Sequence, residues 1–582
     1  MFKLQWLWKY MGKKRHLFVI GLILSAVTCS MLIINPMLSQ KLIDEVITPH
    51  NTAKLLPLLG IMLAVQVIRL TLRYVMIVCL EKNSQCMLDD VRRRMYEVIQ
   101  DQDYIFYGRI RTGDLMTRMT NDLDLVRHST AWISYVVMDS VVVFLVTIIY
   151  LFTVNAEFTL YLAAITPFIL IITRAFSKII NPMFVTLREK LSKLNTVAQE
   201  NIAGNRVVKA FAAEEYEKQK FEEKNEDYRD MNLKTTYVGV KFQPLLDLLS
   251  QSLTVTTLLV GGIFMMKGKL TAGEMLAFSS LTWALSNPLR NLGMLLNDIQ
   301  RFFASCEMII EIFYAQPTIV NRSHAKELDH RLNGDVEFKN VSFQINDNLL
   351  LDHVNFQIGA GKTLGIMGTT GAGKTTLVNM IARFYDATDG EVLVDGINVQ
   401  DLTLSSLRGS IGMATQDVFL FSDTVEGNIA YGNSELPFDE VAQCAAAADA
   451  DSFIRGMEDS YDTLIGERGV GLSGGQRQRI SLARALAVKP SILILDDTTS
   501  AVDMETEQYI QQQLRSLNFV CTKIIIAQRI SSVKDADHII ILDNGKIVEQ
   551  GTHEQLLKKR SYYYRIWALQ NNAEEGSDPV GA

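Results

Sequence analysis

The chain has 582 residues, 48% of them hydrophobic, and a formal net charge of −7 at pH 7. This is too long for one ordinary domain, so we expect at least two. The six cysteines lie at scattered positions without metal-ligand or CxxC spacing, which argues against a cysteine metal site or redox motif. No nucleic-acid partner is expected.

Six long apolar stretches occupy the first half, and each is near or above the ~20 residues that a helix needs to cross a membrane. They cover approximately residues 16–37, 55–80, 131–154, 158–176, 238–266 and 273–297. Basic residues crowd the amino terminus and the loop after the second stretch, which predicts that both termini are cytoplasmic. We therefore expect a multi-pass cell-membrane protein with a transmembrane domain over residues 16–316. Residues 1–15, with Trp6 and Trp8 among lysines, predict an interfacial elbow helix on the cytoplasmic leaflet.

Charge inside these stretches is costly and suggests a function, and three of the charged residues there are candidates. Arg69 and Arg73 are one turn apart and share a face of the second helix, and Asp139 lies at a similar depth in the third. One interpretation is a network that lines a substrate cavity. The other is that the arginines face a neighbouring helix or mark its emergence into water.

The second half alternates short Ile/Val/Leu strands with glycine and charged turns, which predicts a soluble α/β domain over residues 333–570. The polar segment 317–332 is interpreted as a linker into this domain. The small, polar residues 571–582 predict a flexible tail.

A glycine-rich loop, GTTGAGKTT, lies between a short apolar strand and a helix. In this setting, backbone N–H groups and the helix N-terminus are expected to bind the phosphates of ATP, and Lys374 to neutralise their oxygens. The hydroxyl of Thr375 is expected to bind Mg²⁺. The predicted ATP-binding loop consists of Gly368, Thr369, Thr370, Gly371, Ala372, Gly373, Lys374, Thr375 and Thr376.

Further motifs follow in the order typical of ABC exporters, and on them the chain is identified as a member of that family. Gln416 resembles the Q-loop glutamine that reaches Mg²⁺, Asp496 resembles the Mg²⁺-binding acid at the end of an apolar strand, and Asp503 belongs to a segment like the D-loop. The ABC signature LSGGQ consists of Leu472, Ser473, Gly474, Gly475 and Gln476.

The resemblance spans the chain from residue 1 to about 570. It implies an all-α six-helix transmembrane domain followed by an α/β P-loop ATP-binding cassette domain, and coupling helices in cytoplasmic loops near residues 107–122 and 199–211. It also implies that each ATP is shared between the P-loop of one cassette and the signature of another, so that a single chain supplies two half-sites.

This sequence departs from the family at three positions of its P-loop half-site. Asp497 stands where the family has a glutamate that polarises the attacking water, and it is one methylene shorter. Gln528 replaces a histidine that contacts the γ-phosphate, and an amide cannot carry a charge or pass a proton. Ile345 replaces a tyrosine that stacks on adenine. Because the phosphate-binding motifs are kept, the losses favour a specialised non-hydrolytic site over neutral drift in a slow enzyme.

Three hypotheses follow. The leading one is a subunit of a heterodimeric ATP-driven exporter of lipophilic compounds or drugs, whose partner half-transporter carries the intact glutamate and histidine. The second is a homodimeric lipid or peptide exporter with slow turnover. The third is a non-transporting, ATP-gated membrane sensor or channel subunit. All three use ATP and Mg²⁺ and contact membrane lipid.

Overall fold

The computed structural model describes residues 2–328, 330–346, 348–498 and 502–571, without the side chains of residues 13, 292–294, 296 and 571. The chain divides into two units. The first comprises Met1–Asp101 and Ile110–Gln316, and the second comprises Gln102–Arg109 and Pro317–Ala582. The short segment Gln102–Arg109 therefore belongs with the second unit, although the sequence-based boundaries assigned it to the transmembrane domain.

All long elements of the first unit are helices. Its helices are α1 (Phe2–Tyr10), α2 (Arg15–Ser30), α3 (Ile34–Leu42), α4 (Leu55–Gln100), α6 (Thr112–Thr117), α7 (Leu123–Val154), α8 (Ala156–Ala163), α9 (Thr166–Ala203), α10 (Asn205–Ala210), α11 (Glu214–Met266) and α12 (Ala272–Phe313), with α5 (Tyr104–Arg109) in the other unit.

Five helical segments are long and apolar enough to cross a membrane among the described residues: Arg15–Ile47, Thr52–Gln100, Thr112–Val154, Ala156–Ala203 and Glu214–Met266. The last predicted stretch, 273–297, lies in α12, which is consistent with six spans. Several helices are much longer than a bilayer requires. At 1.5 Å per residue, the 53 residues of α11 reach about 80 Å, against a hydrocarbon core of about 30 Å. These helices therefore continue far into water.

The second unit contains two sheets. Its strands are β1 (Val336–Ile345), β2 (Asn348–Ile358), β3 (Thr363–Gly368), β4 (Asp389–Val394), β5 (Ile397–Asn398), β6 (Ile411–Ala414), β7 (Ile492–Asp496), β8 (Thr522–Ile526), β9 (His538–Asp543) and β10 (Lys546–Gly551). A four-stranded antiparallel sheet has the order β2-β1-β4-β5, and a six-stranded sheet has the order β10-β9-β3-β8-β7-β6.

The six-stranded sheet is parallel from β9 to β6, and only β10 runs antiparallel to its neighbour. All five residues of β7 are buried, which explains its unbroken apolar sequence, since parallel strands are covered on both faces. The carboxyl ends of β3, β7 and β8 meet at one edge of the sheet. Ligands of open α/β sheets bind at this edge.

The helices of the second unit are short and connect or cover these strands. After α5 they are α13 (Lys374–Ile381), α14 (Leu404–Gly409), α15 (Val425–Ile429), α16 (Phe438–Ala447), α17 (Asp451–Arg455), α18 (Gly474–Ala487), α19 (Met504–Arg515), α20 (Ile530–Val533), α21 (His553–Lys559) and α22 (Tyr562–Asn571).

Helix α5 is held in this unit by an aromatic stack and a hydrogen-bonded carboxylate. The ring of Tyr104 lies on that of Phe384, with centroids 4.6 Å apart. The carboxylate of Asp103 accepts a hydrogen bond from the backbone N–H of Thr318 at 2.6 Å. These contacts explain why the segment Gln102–Arg109 is counted with the second unit.

Candidate nucleotide-binding site

The glycine-rich loop leaves the end of β3 and enters α13 along a path that requires glycine at two positions. Gly368 has φ +152°, and a Cβ atom there would lie 2.1 Å from the carbonyl oxygen of Leu542. Gly373 has φ +98°, and its Cβ would lie 2.7 Å from the carbonyl oxygen of Leu350. Both positions combine left-handed backbone with close neighbours, which only glycine tolerates. The loop therefore brings its backbone tightly round the N-terminus of α13.

The ammonium group of Lys374 lies inside the curve of this loop. Its Nζ donates hydrogen bonds to the carbonyl oxygens of Gly368 at 2.9 Å and Thr369 at 2.7 Å. Burial lowers the pKa of Lys374, while the carboxylates of Asp496 and Asp497 oppose this shift. A partly desolvated cation surrounded by loop amides is suited to bind phosphate oxygens.

The two adjacent acids stand at the end of β7, facing the loop. Asp496 is 3% exposed, and its Oδ2 accepts a hydrogen bond from Thr375 Oγ1 at 2.8 Å. Burial raises the pKa of Asp496, with the Thr375 hydrogen bond and Lys374 opposing. The pKa of Asp497 is raised as well, first by burial and then by the neighbouring carboxylate. A cation bound here would stabilise the charged form of both carboxylates.

The backbone of Asp497 is left-handed, with φ +51°. Its N–H donates to the carbonyl oxygen of Ile526 at 3.0 Å, which continues the pairing of β7 with β8 beyond the last strand residue. Aspartate is one of the few side chains that occupy this conformation readily. The pairing of β7 with β8 therefore fixes the backbone of Asp497, and with it the direction in which the side chain leaves the strand.

A cavity of about 340 Å³ joins the loop, the acids and the two glutamines. It brings together most of the residues that the sequence singled out, and it adds Leu350 and Ile526. Its lining comprises Leu350, Thr370, Gly371, Gly373, Lys374, Thr375, Thr376, Gln416, Asp496, Asp497, Ile526 and Gln528. Gly368, Thr369 and Ala372 belong to the same loop but are not among the residues that line the cavity.

Ile345 is not among these lining residues. It ends β1, is half-buried, and packs against the hydrophobic core of the unit. The side chain of Phe343, two residues earlier, is buried with its ring centroid 5.1 Å from that of Tyr385. Phe343 is therefore committed to the core, and β1 is not shifted in register to bring an aromatic ring to the position of Ile345.

The oxygen atoms at this site fit Mg²⁺. Thr375 supplies a hydroxyl, Asp496 a carboxylate and Gln416 an amide oxygen, and all are hard ligands of the kind that Mg²⁺ prefers. Asp496 is buried, so a bound cation would offset the cost of burying its charge. Thr375, Asp496 and Gln416 would hold the ion, whose charge would neutralise the nucleotide phosphates.

The signature residues form a helix start of their own. Helix α18 begins at Gly474, and Ser473 caps it: the N–H of Gln476 donates to Ser473 Oγ at 3.2 Å, while the N–H of Ser473 donates to Gln476 Oε1 at 2.9 Å. This reciprocal cap leaves the amides of Gly474 and Gly475 at the helix N-terminus, where an anion is favoured. Among the described residues, no signature residue lines the 340 Å³ cavity.

Asp503 has a structural role that the sequence did not predict. It caps α19, with Oδ1 accepting from the N–H of Thr506 at 2.9 Å and Oδ2 accepting from the Thr506 hydroxyl at 3.1 Å. These hydrogen bonds, the backbone one foremost, hold its pKa below the usual value. Residues 499–501, which begin the D-loop-like segment, lie outside the described part of the chain.

Besides Leu350 and Ile526 of the lining, sequence reasoning missed Gln570. The side chain of Gln570, in α22, holds the backbone on both sides of the Gln528 turn: its Nε2 donates to the carbonyl oxygen of Gln528 at 3.0 Å, and its Oε1 accepts from the N–H of Ile530 at 2.9 Å. The two segments are 42 and 40 residues apart in sequence. No local motif could have indicated the contact.

Arg69, Arg73 and Asp139 of the transmembrane stretches lie together, but the arginines do not pair with the aspartate. Arg73 donates from Nη2 to the hydroxyl of Tyr135 at 3.1 Å, and Arg69 donates from Nε to a carbonyl oxygen of α2 at 3.3 Å. Asp139 accepts from Cys29 Sγ at 3.2 Å. Among the described residues, no arginine–Asp139 salt bridge is formed. The cluster joins α2, α4 and α7, and its contact with cargo stays a prediction.

Comparison with known proteins agrees with this architecture. The family described as "ABC transporter transmembrane region" matches residues 18–289, and the family described as "ABC transporter" matches residues 351–500. The chain is 38% identical over 485 residues to the uncharacterized ABC transporter ATP-binding protein YknU of Bacillus subtilis (strain 168), covering 82% of each protein.

A second relative carries a more specific name. The chain is 36% identical over 498 residues to the ATP-dependent lipid A-core flippase of Syntrophus aciditrophicus (strain SB), covering 86% of this chain and 83% of that protein. Among solved structures, a bacterial Atm1-family ABC exporter with ATP bound superposes with a TM-score of 0.80 at 25% identity, over 96% of this chain and 99% of the other.

Proposed function

The chain belongs to the ABC transporters and has the fold of an exporter, and from that premise we propose that it is one subunit of a heterodimeric, ATP-driven exporter of lipophilic compounds. Transporters of this family are ATP-hydrolysing translocases. In our proposal this subunit binds ATP and Mg²⁺ at its own P-loop but hydrolyses that ATP poorly. The second half-transporter supplies the competent P-loop site.

One observation carries this proposal: Asp497 and Gln528 line the same cavity as Lys374 and Asp496. The binding parts of the site are present, and the two substituted residues are those that the family uses for the attacking water and the γ-phosphate. Aspartate ends one bond short of glutamate, and glutamine cannot accept and return a proton. The site is therefore suited to hold ATP for longer than one catalytic cycle.

The signature supports the other half of the proposal. Ser473 and the glycines after it start a 14-residue helix with a complete cap, and they do not belong to the cavity around Lys374. We propose that they complete the P-loop site of the partner, which carries the catalytic glutamate and histidine. Hydrolysis then takes place once per cycle, at a single composite site.

The cargo is proposed from the membrane unit and one relative. The lipid A-core flippase of Syntrophus aciditrophicus is named for a lipid substrate, which favours lipophilic cargo taken from the inner leaflet or the cytoplasm. The same name keeps a homodimeric lipid exporter as the second candidate. In either case we propose that the nucleotide unit and both termini are cytoplasmic. The Arg69, Arg73 and Asp139 cluster is our sequence-based candidate for cargo contact.

The test compares two substitutions in the assembled transporter reconstituted in lipid. Ser473→Arg fills the anion site of the signature, and we expect it to lower ATP hydrolysis at least 100-fold, the usual loss when a transition-state donor is removed. Asp497→Asn removes the shortened acid, and we expect it to change the rate less than about twofold. This chain purified alone should hydrolyse ATP negligibly.

A homodimer with two equal, active sites makes the opposite predictions. It would hydrolyse ATP when purified alone, and Asp497→Asn would reduce its rate as strongly as Ser473→Arg. Either result would refute the asymmetric assignment. ATP binding, measured by retention of a labelled nucleotide, provides the control because Asp497→Asn should leave it intact.

A further inference from the structure

The first helix of the membrane unit, α1, has two faces that differ in exposure. Trp6 is 2% exposed, whereas Trp8, two residues later, is 43% exposed. Leu4 is exposed as well, and at four-residue spacing it shares a side of the helix with Trp8. Tryptophan is enriched where lipid headgroups meet acyl chains, because its ring is apolar and its N–H is polar. The outer face of α1 therefore carries an apolar strip, Leu4 and Trp8, that suits this boundary.

The inner face of α1 packs on the end of α12. The rings of Trp6 and Tyr10 both contact that of Phe313, with centroids 5.4 and 4.8 Å away. Lys3 Nζ donates a hydrogen bond to Glu307 Oε2 at 2.8 Å. Phe313 is the last residue of α12, so α1 holds the final turns of that helix. These contacts fix which face of α1 points away from the protein.

Three exposed cations belong to α1 or follow it closely in the chain: Lys9, Lys14 and Arg15. The guanidinium of Arg15 lies 6.0 Å from the centroid of the Trp8 ring. The Nζ of Lys9 lies 5.5 Å from the centroid of the Tyr10 ring. Both distances are those of a cation–π contact. Arg15 therefore brings positive charge to the Trp8 end of the apolar strip.

These cations have no carboxylate partner. Among the described residues, Lys9 and Arg15 form no salt bridge, and Lys14 Nζ donates to the thiol of Cys86 at 2.8 Å. By contrast, Arg127 of the same unit pairs with a glutamate of α4 at 3.2 Å. Exposed cations that no carboxylate neutralises attract an anion from outside the protein. The positive charge beside the strip is therefore available to a ligand.

The position of these residues in the membrane indicates which anion they meet. Helix α2 begins at Arg15, and the segment Arg15–Ile47 is long and apolar enough to cross a membrane. The cations therefore lie beside one end of this span, on the cytoplasmic side in the predicted orientation. A soluble anion would leave the apolar strip uncovered, and a zwitterionic lipid would leave the cations without a counter-charge. An anionic phospholipid satisfies both, since its phosphate and acyl chains are adjacent.

We propose that α1 and the turn after it bind anionic phospholipid of the cytoplasmic leaflet, and that the bound lipid stabilises α1 on α12. The phosphate lies by Arg15, Lys9 and Lys14, and the acyl chains lie along Leu4 and Trp8. A guanidinium can donate two N–H groups to one phosphate, and its contact with Trp8 places it beforehand. This inference concerns a lipid that stays bound as a ligand, and it depends neither on the cargo nor on the subunit assignment.

The fluorescence of Trp8 measures binding at this site. The assembled transporter is placed in phosphatidylcholine nanodiscs, and phosphatidylglycerol with brominated acyl chains is added in increasing fraction. The signal of Trp8 is the difference between wild type and Trp8→Phe. Brominated phosphatidylcholine is the matched probe, and the ratio of the two fractions that give half of the quenching defines the selectivity. Equal quenching by both probes would overturn the proposal.

Charge variants show whether the cations produce this selectivity. One basic residue near an anionic surface contributes about 1 kcal/mol, so Arg15→Gln should lower the selectivity about fivefold, and Lys9→Gln with Arg15→Gln about 25-fold. Arg15→Lys keeps the charge and should stay within about twofold of wild type. Arg93→Gln is the control, because it removes one charge that Asp89 already balances at 2.9 Å. Unchanged selectivity in the double variant would contradict the assignment.

Hydrogen exchange tests the effect of the lipid on α1. The amides of the peptide over residues 2–11 should exchange about fivefold more slowly in phosphatidylglycerol than in phosphatidylcholine nanodiscs, because a ligand that binds only the docked helix stabilises it. Lys9→Gln with Arg15→Gln should abolish this difference. Equal exchange of the wild-type peptide in the two lipids would refute the stabilising role. Both measurements are made without ATP, so their failure leaves the test on Ser473 and Asp497 unaffected.

Discussion

Restoring the two substituted residues, Asp497→Glu together with Gln528→His, should convert the impaired half-site into a hydrolytic one. The change is confined to side chains because the loop, Lys374 and the Asp496–Thr375 contact are already in place. In the assembled transporter the variant should gain a second active site and use more ATP for each molecule of cargo moved.

The size of the expected rate increase follows from the lengths of the two side chains. A general base acts at 2.6–3.2 Å from its partner, a window about 0.6 Å wide, and aspartate is shorter than glutamate by one C–C bond of about 1.5 Å. Asp497 therefore misses the whole window, and its extension should recover most of the ~10²–10⁴-fold rate factor of a positioned base. The backbone of this position has φ +51°, so the glutamate should lower the free energy of unfolding by about 1 kcal/mol relative to aspartate. This corresponds to a few degrees of melting temperature.

The assay isolates the restored site by disabling the other one through Ser473→Arg in this chain. On that background, ATP hydrolysis by the double variant should rise at least 100-fold above the parent, and Asp497→Glu with Asp496→Asn should stay inactive because Mg²⁺ is not held. A rise of less than about threefold, with labelled ATP still bound, would refute the argument from reach.

Two further predictions concern the edges of the same site. Ile345→Tyr should tighten ATP binding about 5- to 100-fold, from the ~1–3 kcal/mol that a base gains by stacking on an aromatic ring, as measured by titration with a fluorescent nucleotide; unchanged affinity would place the adenine elsewhere. Gln570→Leu removes both hydrogen bonds that hold the Gln528 turn, and the Ile530 amide should exchange its hydrogen about 5- to 100-fold faster, from the ~1–3 kcal/mol cost of an unpaired buried group. Hydrogen-exchange mass spectrometry of the peptide over 528–530 reports this, and unchanged protection would show that Gln570 does not hold the turn.

Local motifs account for the part of the site that the sequence could predict. The glycines of the phosphate loop, Lys374 and Asp496 were recognisable because each needs a fixed residue type next to a strand or helix end. The fold class was predicted for a similar reason, since long apolar stretches and buried parallel strands have distinct patterns. The membrane fold and the α/β sheets agree with that prediction.

Contacts between distant segments account for what the sequence missed. Gln570 reaches the Gln528 turn from the last described helix, and Tyr104 stacks on Phe384 across 280 residues of chain. Asp503, chosen from a motif, also caps α19 by accepting from the N–H of Thr506, three residues on; this contact is local, and its D-loop role stays a prediction. Neither the Gln570 contact nor the Tyr104–Phe384 stack has a periodicity or spacing that a single sequence displays.

The sequence by itself determined that this protein is a membrane chain with a P-loop cassette, and that its nucleotide half-site carries Asp497 and Gln528 in place of the family's glutamate and histidine. Those facts follow from residue type and short-range spacing. Only the tertiary structure decided that both substituted residues face the phosphate loop in one cavity, and that a second cavity forms among α9, α11 and α12. The reason is physical: a cavity is formed by packing between elements, and its lining depends on which faces of distant helices meet.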